Sequence, residues 1–382
     1  SHVDQLWLIL KEITMNDLMK YYKGSMLFAV VGIALAYYVG FVFGGTTAAA
    51  MSAVFTASIL SVLEVSLSID NAVVNAKVLK DMDQVWRQRF ITWGMLIAVF
   101  GMRLVFPLLI VSVATGLAPV QNPLAYVGLA APVDNVLAMA VNTPEQYEAV
   151  LKDAHAMIMG FGGAFLMMVF LKFFLDEAKE HHWIDLVEQK LSVLGRFEAI
   201  QIFITLIAAY IVSKYAHSAE DGHEFFVAAV FGAMTYVAVD WLEVLFGNEE
   251  SEGEAGDLAV SVAKTGLAGF IYLEVLDASF SFDGVVGAFA LTNNIFIILI
   301  GLGIGAMFVR SVTIQLVDKG TLNEFRYLEH AAFWAIGSLA AIMYVNVIAE
   351  IPEVVTGCIG ALLITAGVVH SILANKKDAA VA

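Results

Sequence analysis

Residues 61–79 read SVLEVSLSIDNAVVNAKVL. The stretch is apolar enough to lie in a membrane, yet it carries two acids, Glu64 and Asp70. A carboxylate near mid-bilayer costs about 3 kcal/mol, so it normally faces a partner, a pathway or an ion. Residues 272–291 (YLEVLDASFSFDGVVGAFAL) repeat the oddity with Glu274, Asp277 and Asp283. Setting Ser66-Leu67-Ser68-Ile69-Asp70-Asn71-Ala72-Val73 over Ser279-Phe280-Ser281-Phe282-Asp283-Gly284-Val285-Val286 gives S-x-S-x-D-(N/G)-x-V in both copies. The same register pairs Glu64 with Asp277, so each copy holds an acid, five residues and a second acid. Each copy is followed by a Gly-rich apolar stretch with one arginine: GMLIAVFGMRLVF with Arg103, and GLGIGAMFVRSV with Arg310. Chance likeness of two short Ser/acid motifs is the bland alternative; acids and arginines repeating together argue against it.

The rest of the chain agrees with a membrane setting. Of 382 residues, 60% are apolar and 15% charged, against roughly 45–50% and 25% for a soluble domain. This composition excludes a disordered chain, a secreted disulfide scaffold and a soluble Rossmann or TIM enzyme. The net charge of −16, with no basic cluster, excludes nucleic acid as a partner. The one cysteine, Cys358, can form no internal disulfide. Residues 1–23 lack a compact apolar region followed by a cleavage site, so insertion is expected to rest on the first spanning helix.

A spanning helix needs about 20 mostly apolar residues. The expected fold is an all-α polytopic membrane protein of about ten such helices, at 25–43, 49–76, 90–114, 155–175, 198–215, 225–243, 262–290, 295–317, 328–347 and 354–374. The stretch 123–141, broken by Pro132, Asp134 and Asn135, is expected to be re-entrant or interfacial. With both termini in the cytoplasm, the outer segments hold only Lys152 and Lys214, and nearly every other Lys or Arg falls inside, as the positive-inside rule requires. On that topology the two acidic spans run in opposite directions. They form an inverted repeat, the arrangement that places a shared site near the midplane.

The expected organisation is a cytoplasmic N-terminal segment (1–24), a first membrane half with the first acidic motif (25–175), a cytoplasmic amphipathic helix (176–197) and connecting membrane helices (198–246). An acidic cytoplasmic linker (247–261), a second membrane half with the second motif (262–374) and a cytoplasmic tail (375–382) complete it. In the amphipathic helix, Trp183, Ile184, Leu186, Val187, Leu191 and Leu194 lie near one face. Its adjacent His181 and His182 are expected to be a solvated pair. GNEESEGEAGD, residues 247–257, reads as a flexible tether.

Helix geometry sorts the polar residues. At about 100° per residue, Glu64, Ser68, Asn71 and Asn75 form one stripe, and Asp70 lies about 120° from Glu64. Either the helix kinks there or Asp70 faces another element. Glu274, Asp277 and Ser281 form a second stripe, with Asp283 again off it. Carboxylates, amides and hydroxyls make an all-oxygen set, suited to Mg²⁺, Ca²⁺ and Mn²⁺ rather than to zinc or copper. The competing reading is structural: the acids pair with Arg103 and Arg310 to hold helices together. Two arginines cannot neutralise Glu64, Asp70, Glu274, Asp277 and Asp283 together, so protons or a cation must supply the rest. Asp134 and Asn135 suit an outer vestibule or a helix cap equally. Asp240 and Glu243, near a span end, suit snorkelling.

Glu64-Val65-Ser66-Leu67-Ser68-Ile69-Asp70-Asn71 resembles the ExxLSxDN signature of the TerC integral membrane proteins. Asp277-Ala278-Ser279-Phe280-Ser281-Phe282-Asp283, with Asn294-Ile295-Phe296 and Phe308-Val309-Arg310-Ser311, resembles their second signature. The likeness covers roughly 60–115 and 270–345. Asp283-Gly284-Val285-Val286-Gly287 stands where those proteins carry D-S-x-P-A, and the chain has additional spans. It is therefore more similar to the divergent DUF475 branch. The resemblance implies a bacterial inner-membrane protein related to the LysE-type transporter group, which includes manganese and calcium exporters. Tellurite resistance is the family's historical label, but intramembrane acids would repel that oxyanion.

The expectation is a secondary transporter, not an enzyme, that exports a divalent cation, Mn²⁺ first and Ca²⁺ second, in exchange for protons. Glu64, Asp70, Asn71, Asp277 and Asp283 are the expected ligands, Asn75 and Glu274 the second choices, and Arg103 and Arg310 the charge partners. No Walker motif and no nucleophile–base pair is present to suggest ATP use or catalysis. The expected partners are the lipid bilayer, the divalent cation and protons. A cytosolic protein and a homodimer stay open. The alternative is a membrane scaffold that docks a cytosolic stress-response complex, with the acids purely structural.

Overall fold

In lipid an apolar stretch has no water to bond its backbone, so it satisfies its own N–H and C=O groups as a helix. The computed structural model describes residues 15–94, 96–121, 134–176, 182–195, 199–246, 266–289, 291–320, 325–349 and 351–381. Among the described residues every named element is helical, and one isolated bridge joins Ala118 to Asn135. The helices are α1 (Met15–Gly44), α2 (Thr47–Leu67), α3 (Ile69–Asp81) and α4 (Gln84–Arg89). Two π-helical segments follow, π1 (Phe90–Gly94) and π2 (Ile97–Val105), then α5 (Phe106–Thr115), α6 (Val136–Asn142) and α7 (Pro144–Asp153). The remainder are α8 (His155–Leu175), α9 (Asp185–Leu194), α10 (Ile200–Ser213), α11 (Ala219–Phe246), α12 (Gly266–Ala288), α13 (Ile295–Lys319), α14 (Leu328–Asn346) and α15 (Glu353–Val381).

The all-α polytopic class stands, with fewer spans than the sequence predicts. Among the described residues seven helices are long and apolar enough to cross a bilayer. There are eight if Gln84–Gly94 and Ile97–Ser112, which meet at 44°, count as one. Two expected spans account for the difference. α10, within 198–215, has 14 residues, or about 21 Å at 1.5 Å per residue, against a hydrocarbon layer of about 30 Å. α12, within 262–290, has 23 residues, but Glu274, Asp277 and Asp283 interrupt its apolar run. The expected span 49–76 is divided at Ser68 into α2 and α3.

Residues 122–133, most of the expected re-entrant stretch, lie outside the described residues, as do the tether 247–257 and His181. The flanks of the stretch are hydrogen-bonded neighbours. Val136 N donates to Ala118 O at 2.9 Å and Leu137 N to Pro119 O at 3.1 Å, so the chain is at one place before and after it. Asn135 is a helix cap: its side chain accepts from Ala138 N at 2.9 Å and starts α6.

α8 runs through the middle, with 72% of its span buried, whereas α1 is 11% and α15 22% buried and present apolar faces outward. α8 packs on α11 and α14, and α13 packs on α1 and α2. Glycines let α8 and α11 touch: a Cβ on Gly160 would strike the Phe225 carbonyl, and one on Gly232 the Phe161 carbonyl. The apolar interior forms two main clusters. The larger gathers Val73–Leu79 of α3, Leu273, Leu276 and Phe280 of α12, and much of α8 and α14. The smaller gathers Leu60 of α2, Val285 and Phe289 near the far end of α12, and Ile298 and Leu302 of α13. The acidic stretches of α2–α3 and α12 fall at the seam between them.

Candidate functional site

The α2–α3 break positions the first acids. Ser68 leaves helical geometry (φ −109°, ψ 13°), and its hydroxyl donates to Glu64 Oε1 at 3.0 Å. Such local side-chain bonds compete with the helical ladder. Asp70 then occupies the first turn of α3, where a negative charge suits the helix N-terminus. Its Oδ1 accepts from Asn71 N at 3.0 Å.

Glu64 is 2% exposed and Arg103 3%, and the two form an ion pair. Arg103 sits on π2 and also donates to the Ala98 carbonyl five residues back. π-Helical geometry is rare and concentrates at functional sites. Close packing encloses the Glu64 carboxylate. A Cβ on Gly305 would lie 2.5 Å from Glu64 Cβ, and one on Gly284 would lie 3.3 Å from Glu64 Oε2. The two acidic segments touch a second time where Asn71 Nδ2 donates to Asp277 Oδ1 at 2.7 Å.

A cavity of about 50 Å³ lies along these contacts. Its polar lining is Glu64, Ser68, Asn71, Asn75, Arg103, Glu274, Asp277, Arg310 and Thr313; its apolar lining includes Phe90, Val99, Ala306 and Val309. Several of its oxygen atoms are buried without a protein donor: Asn71 Oδ1, Asn75 Oδ1, Asp277 Oδ2 and both oxygens of Glu274. Glu274 is 9% exposed and rests over Gly94, where a Cβ would come within 2.7 Å of Oε1. Each buried orphan costs about 1–3 kcal/mol unless water or an ion satisfies it. Arg310 lines the same cavity with its Nε buried and unpartnered. Among the described residues no carboxylate pairs with Arg310.

The structure therefore brings together Glu64, Asn71, Asn75, Glu274, Asp277, Arg103 and Arg310. Asp70 is buried but does not line the cavity. It faces α15, where a Cβ on Gly360 would lie 3.7 Å from Oδ2. The side chain of Asp283 lies outside the described residues. Ser281 is buried with its hydroxyl unpartnered, beside the cavity rather than in its wall. Among the described residues no three carboxylate, imidazole or thiol groups converge as a ready-made metal centre. A cation here would rely on the amide oxygens of Asn71 and Asn75 beside Glu274 and Asp277.

A second polar cluster is not foreseen in the sequence reading. Glu188 of α9 is 1% exposed and accepts from His330 Nδ1 at 3.0 Å, Trp334 Nε1 at 3.0 Å, Trp183 N at 3.1 Å and Ile184 N at 3.2 Å. His182 Nδ1 stands 3.6 Å from the same carboxylate, so this histidine faces a partner rather than bulk water. Burial pushes the Glu188 carboxyl up, but the hydrogen bonds from His330 and Trp334 outweigh it and hold it at about 2. Trp183 Nε1 also donates to His370 Nδ1 at 2.8 Å. The cluster fastens α9 to α14 and α15. Its signal in the sequence is positional: Glu188 lies four residues after Ile184 and three before Leu191, on the apolar face of an amphipathic helix.

Residues 69–378 match the family described as "Protein of unknown function (DUF475)". No curated protein and no solved structure matches the chain.

Proposed function

The chain belongs to the DUF475 family, and from that premise we propose that it is a secondary transporter of a divalent metal cation. The observation that carries this reading is the cavity where the two acidic segments meet, with buried, unpartnered oxygens of Asn71, Asn75, Glu274 and Asp277 in one wall. These are hard oxygen donors, which favour Mn²⁺ and Ca²⁺ over softer metals. The TerC-like motif adds the export direction and puts Mn²⁺ first. Exchange for protons follows from carboxylates that must be recharged after the ion leaves. A bacterial inner membrane and cytoplasmic termini belong to the same proposal, as does the inverted relation of the two halves.

One observation favours the scaffold alternative: Glu64 is committed to Arg103, so part of the acid set is structural. Glu274 and Asp277 have no such partner in the ion pairs among the described residues. Radioactive Mn²⁺ uptake into everted membrane vesicles separates the readings. Vesicles with the wild-type chain are expected to accumulate the ion, and vesicles with Glu274→Gln/Asp277→Asn are not. Equal uptake by the two would sink the transporter reading.

A further inference from the structure

The two arginines of the cavity do different work. Arg103 is held by Glu64 and by the Ala98 carbonyl, so its charge is cancelled in place. Arg310, on the unbroken helix α13, lines the same cavity, and no carboxylate among the described residues pairs with it. The same cavity is lined by Glu274, with both oxygens buried and unpartnered, and Asp277, with Oδ2 unpartnered. With both carboxylates ionised, and with Glu64 and Arg103 cancelling, the cavity holds two negative charges against one positive.

We infer that Arg310 is a tethered competitor for the transported cation: it is a charge in the cavity wall that no carboxylate among the described residues pairs with, and it limits how tightly a divalent ion is held. The inference rests on the cation reading above and adds a role for one residue. A divalent ion added to the cavity as it stands leaves one positive charge in excess. Without Arg310 the same ion would be neutralised. The arginine therefore trades affinity for release, which a transporter needs and a storage site does not. A buried guanidinium keeps its charge at any working pH, so the competition does not depend on proton uptake. A structural arginine would instead be bonded at its fork, as Arg103 is.

The test uses the full-length chain purified in detergent, with Mn²⁺, Ca²⁺, Mg²⁺ and Zn²⁺ titrated in turn while thermal unfolding is followed. Arg310→Gln is expected to lower the Mn²⁺ concentration for half-maximal stabilisation by about tenfold or more, because a like charge beside the ion is removed. The same variant should move less Mn²⁺ into everted vesicles. Tighter binding with slower transport is a pairing that loss of a merely structural residue does not produce. A folded Arg310→Gln with an unchanged or raised midpoint overturns the inference. Should that variant fail to insert, Arg310→Met replaces it: an uncharged side chain of similar length is expected to lower the midpoint in the same way, and an unchanged or raised midpoint again overturns it. A wild-type chain that no divalent ion stabilises fails at the first step. That outcome removes the cation reading itself, and this inference with it.

Discussion

The two acidic segments share a sequence pattern and differ in how they are built. The first is broken at Ser68 between α2 and α3, and its arginine lies on the π-helical segment Ile97–Val105, where it pairs with Glu64. The second, α12, is continuous from Gly266 to Ala288, and its arginine lies on the unbroken α13, where no carboxylate among the described residues pairs with it. The first segment thus resembles a locked brace, rigid because a buried charge pair is costly to separate. The second holds its charges in reserve: Glu274, Asp277 and Arg310 face one small space without satisfying one another. Matched sequence has produced one segment whose acid Glu64 is paired and one whose acids Glu274 and Asp277 keep unpartnered oxygens. Within the first segment only the amides Asn71 and Asn75 carry unpartnered oxygens into the cavity.

The sharpest way to break this contrast is to neutralise one acid at a time and read divalent-dependent stabilisation. Asp277→Asn or Glu274→Gln is expected to raise the Mn²⁺ midpoint about a hundredfold, the order expected when an anionic ligand becomes neutral. Asp70→Asn is expected to leave it within about threefold, since Asp70 faces α15 and not the cavity. A large effect at Asp70 would mean that α3 turns to present it, and the division of labour would be wrong. A second measurement, thermal stability without metal, probes the brace. Glu64→Gln should cost about 3–5 kcal/mol by stranding Arg103. An undiminished melting temperature in Glu64→Gln would show that the ion pair braces nothing.

The smallest effect is expected outside both segments. Glu188 ordinarily titrates near 4.5 and is held at about 2 where it binds His330 and Trp334. A lowered acid gives stability that is complete above its unfolded value and is lost as pH falls through its folded value. The contribution of Glu188 to the attachment of α9 should therefore be complete above about pH 5 and be lost between pH 4.5 and 2. Fluorescence of Trp183 and Trp334 would follow it. Fluorescence that stays unchanged from about pH 5 to pH 2 would contradict the assignment. Glu188→Gln, which loosens α9, should leave the divalent midpoint where it was.

Much of this geometry is written locally. Glu64, Ser68, Asn71 and Asn75 share a stripe at helical spacing, and all four line the cavity despite the break at Ser68. The displacement of Asp70 from that stripe is legible too, and α15 is the element it faces. What is not legible depends on distant parts of the chain. Arg103 could pair with any of several acids in the sequence; its selection of Glu64 depends on how π2 packs on α12 and α13. The π-helical geometry itself leaves no local signal, because its apolar and glycine residues suit an ordinary helix equally. The partners of Glu188 lie 142 and 146 residues further on, beyond the reach of periodicity. The span count fails where length and polarity compete. α10 is apolar but short, and α12 is long but acidic, and a window of apolar residues weighs neither against the thickness it must cross.

The size of the cavity has one further consequence. At about 50 Å³ it has room for about four waters, each needing roughly 10–15 Å³ on that measure. On the proposed cation reading, an ion with a full shell of about six waters would have to leave part of that shell behind and take the oxygens of Asn71, Asn75, Glu274 and Asp277 in exchange. Dehydration then sorts the candidates before any ligand geometry is compared. Mg²⁺, which gives up water reluctantly and demands a strict octahedron, is disfavoured against larger divalent ions that accept irregular oxygen sets. A small chamber can discriminate by what its visitors must leave behind.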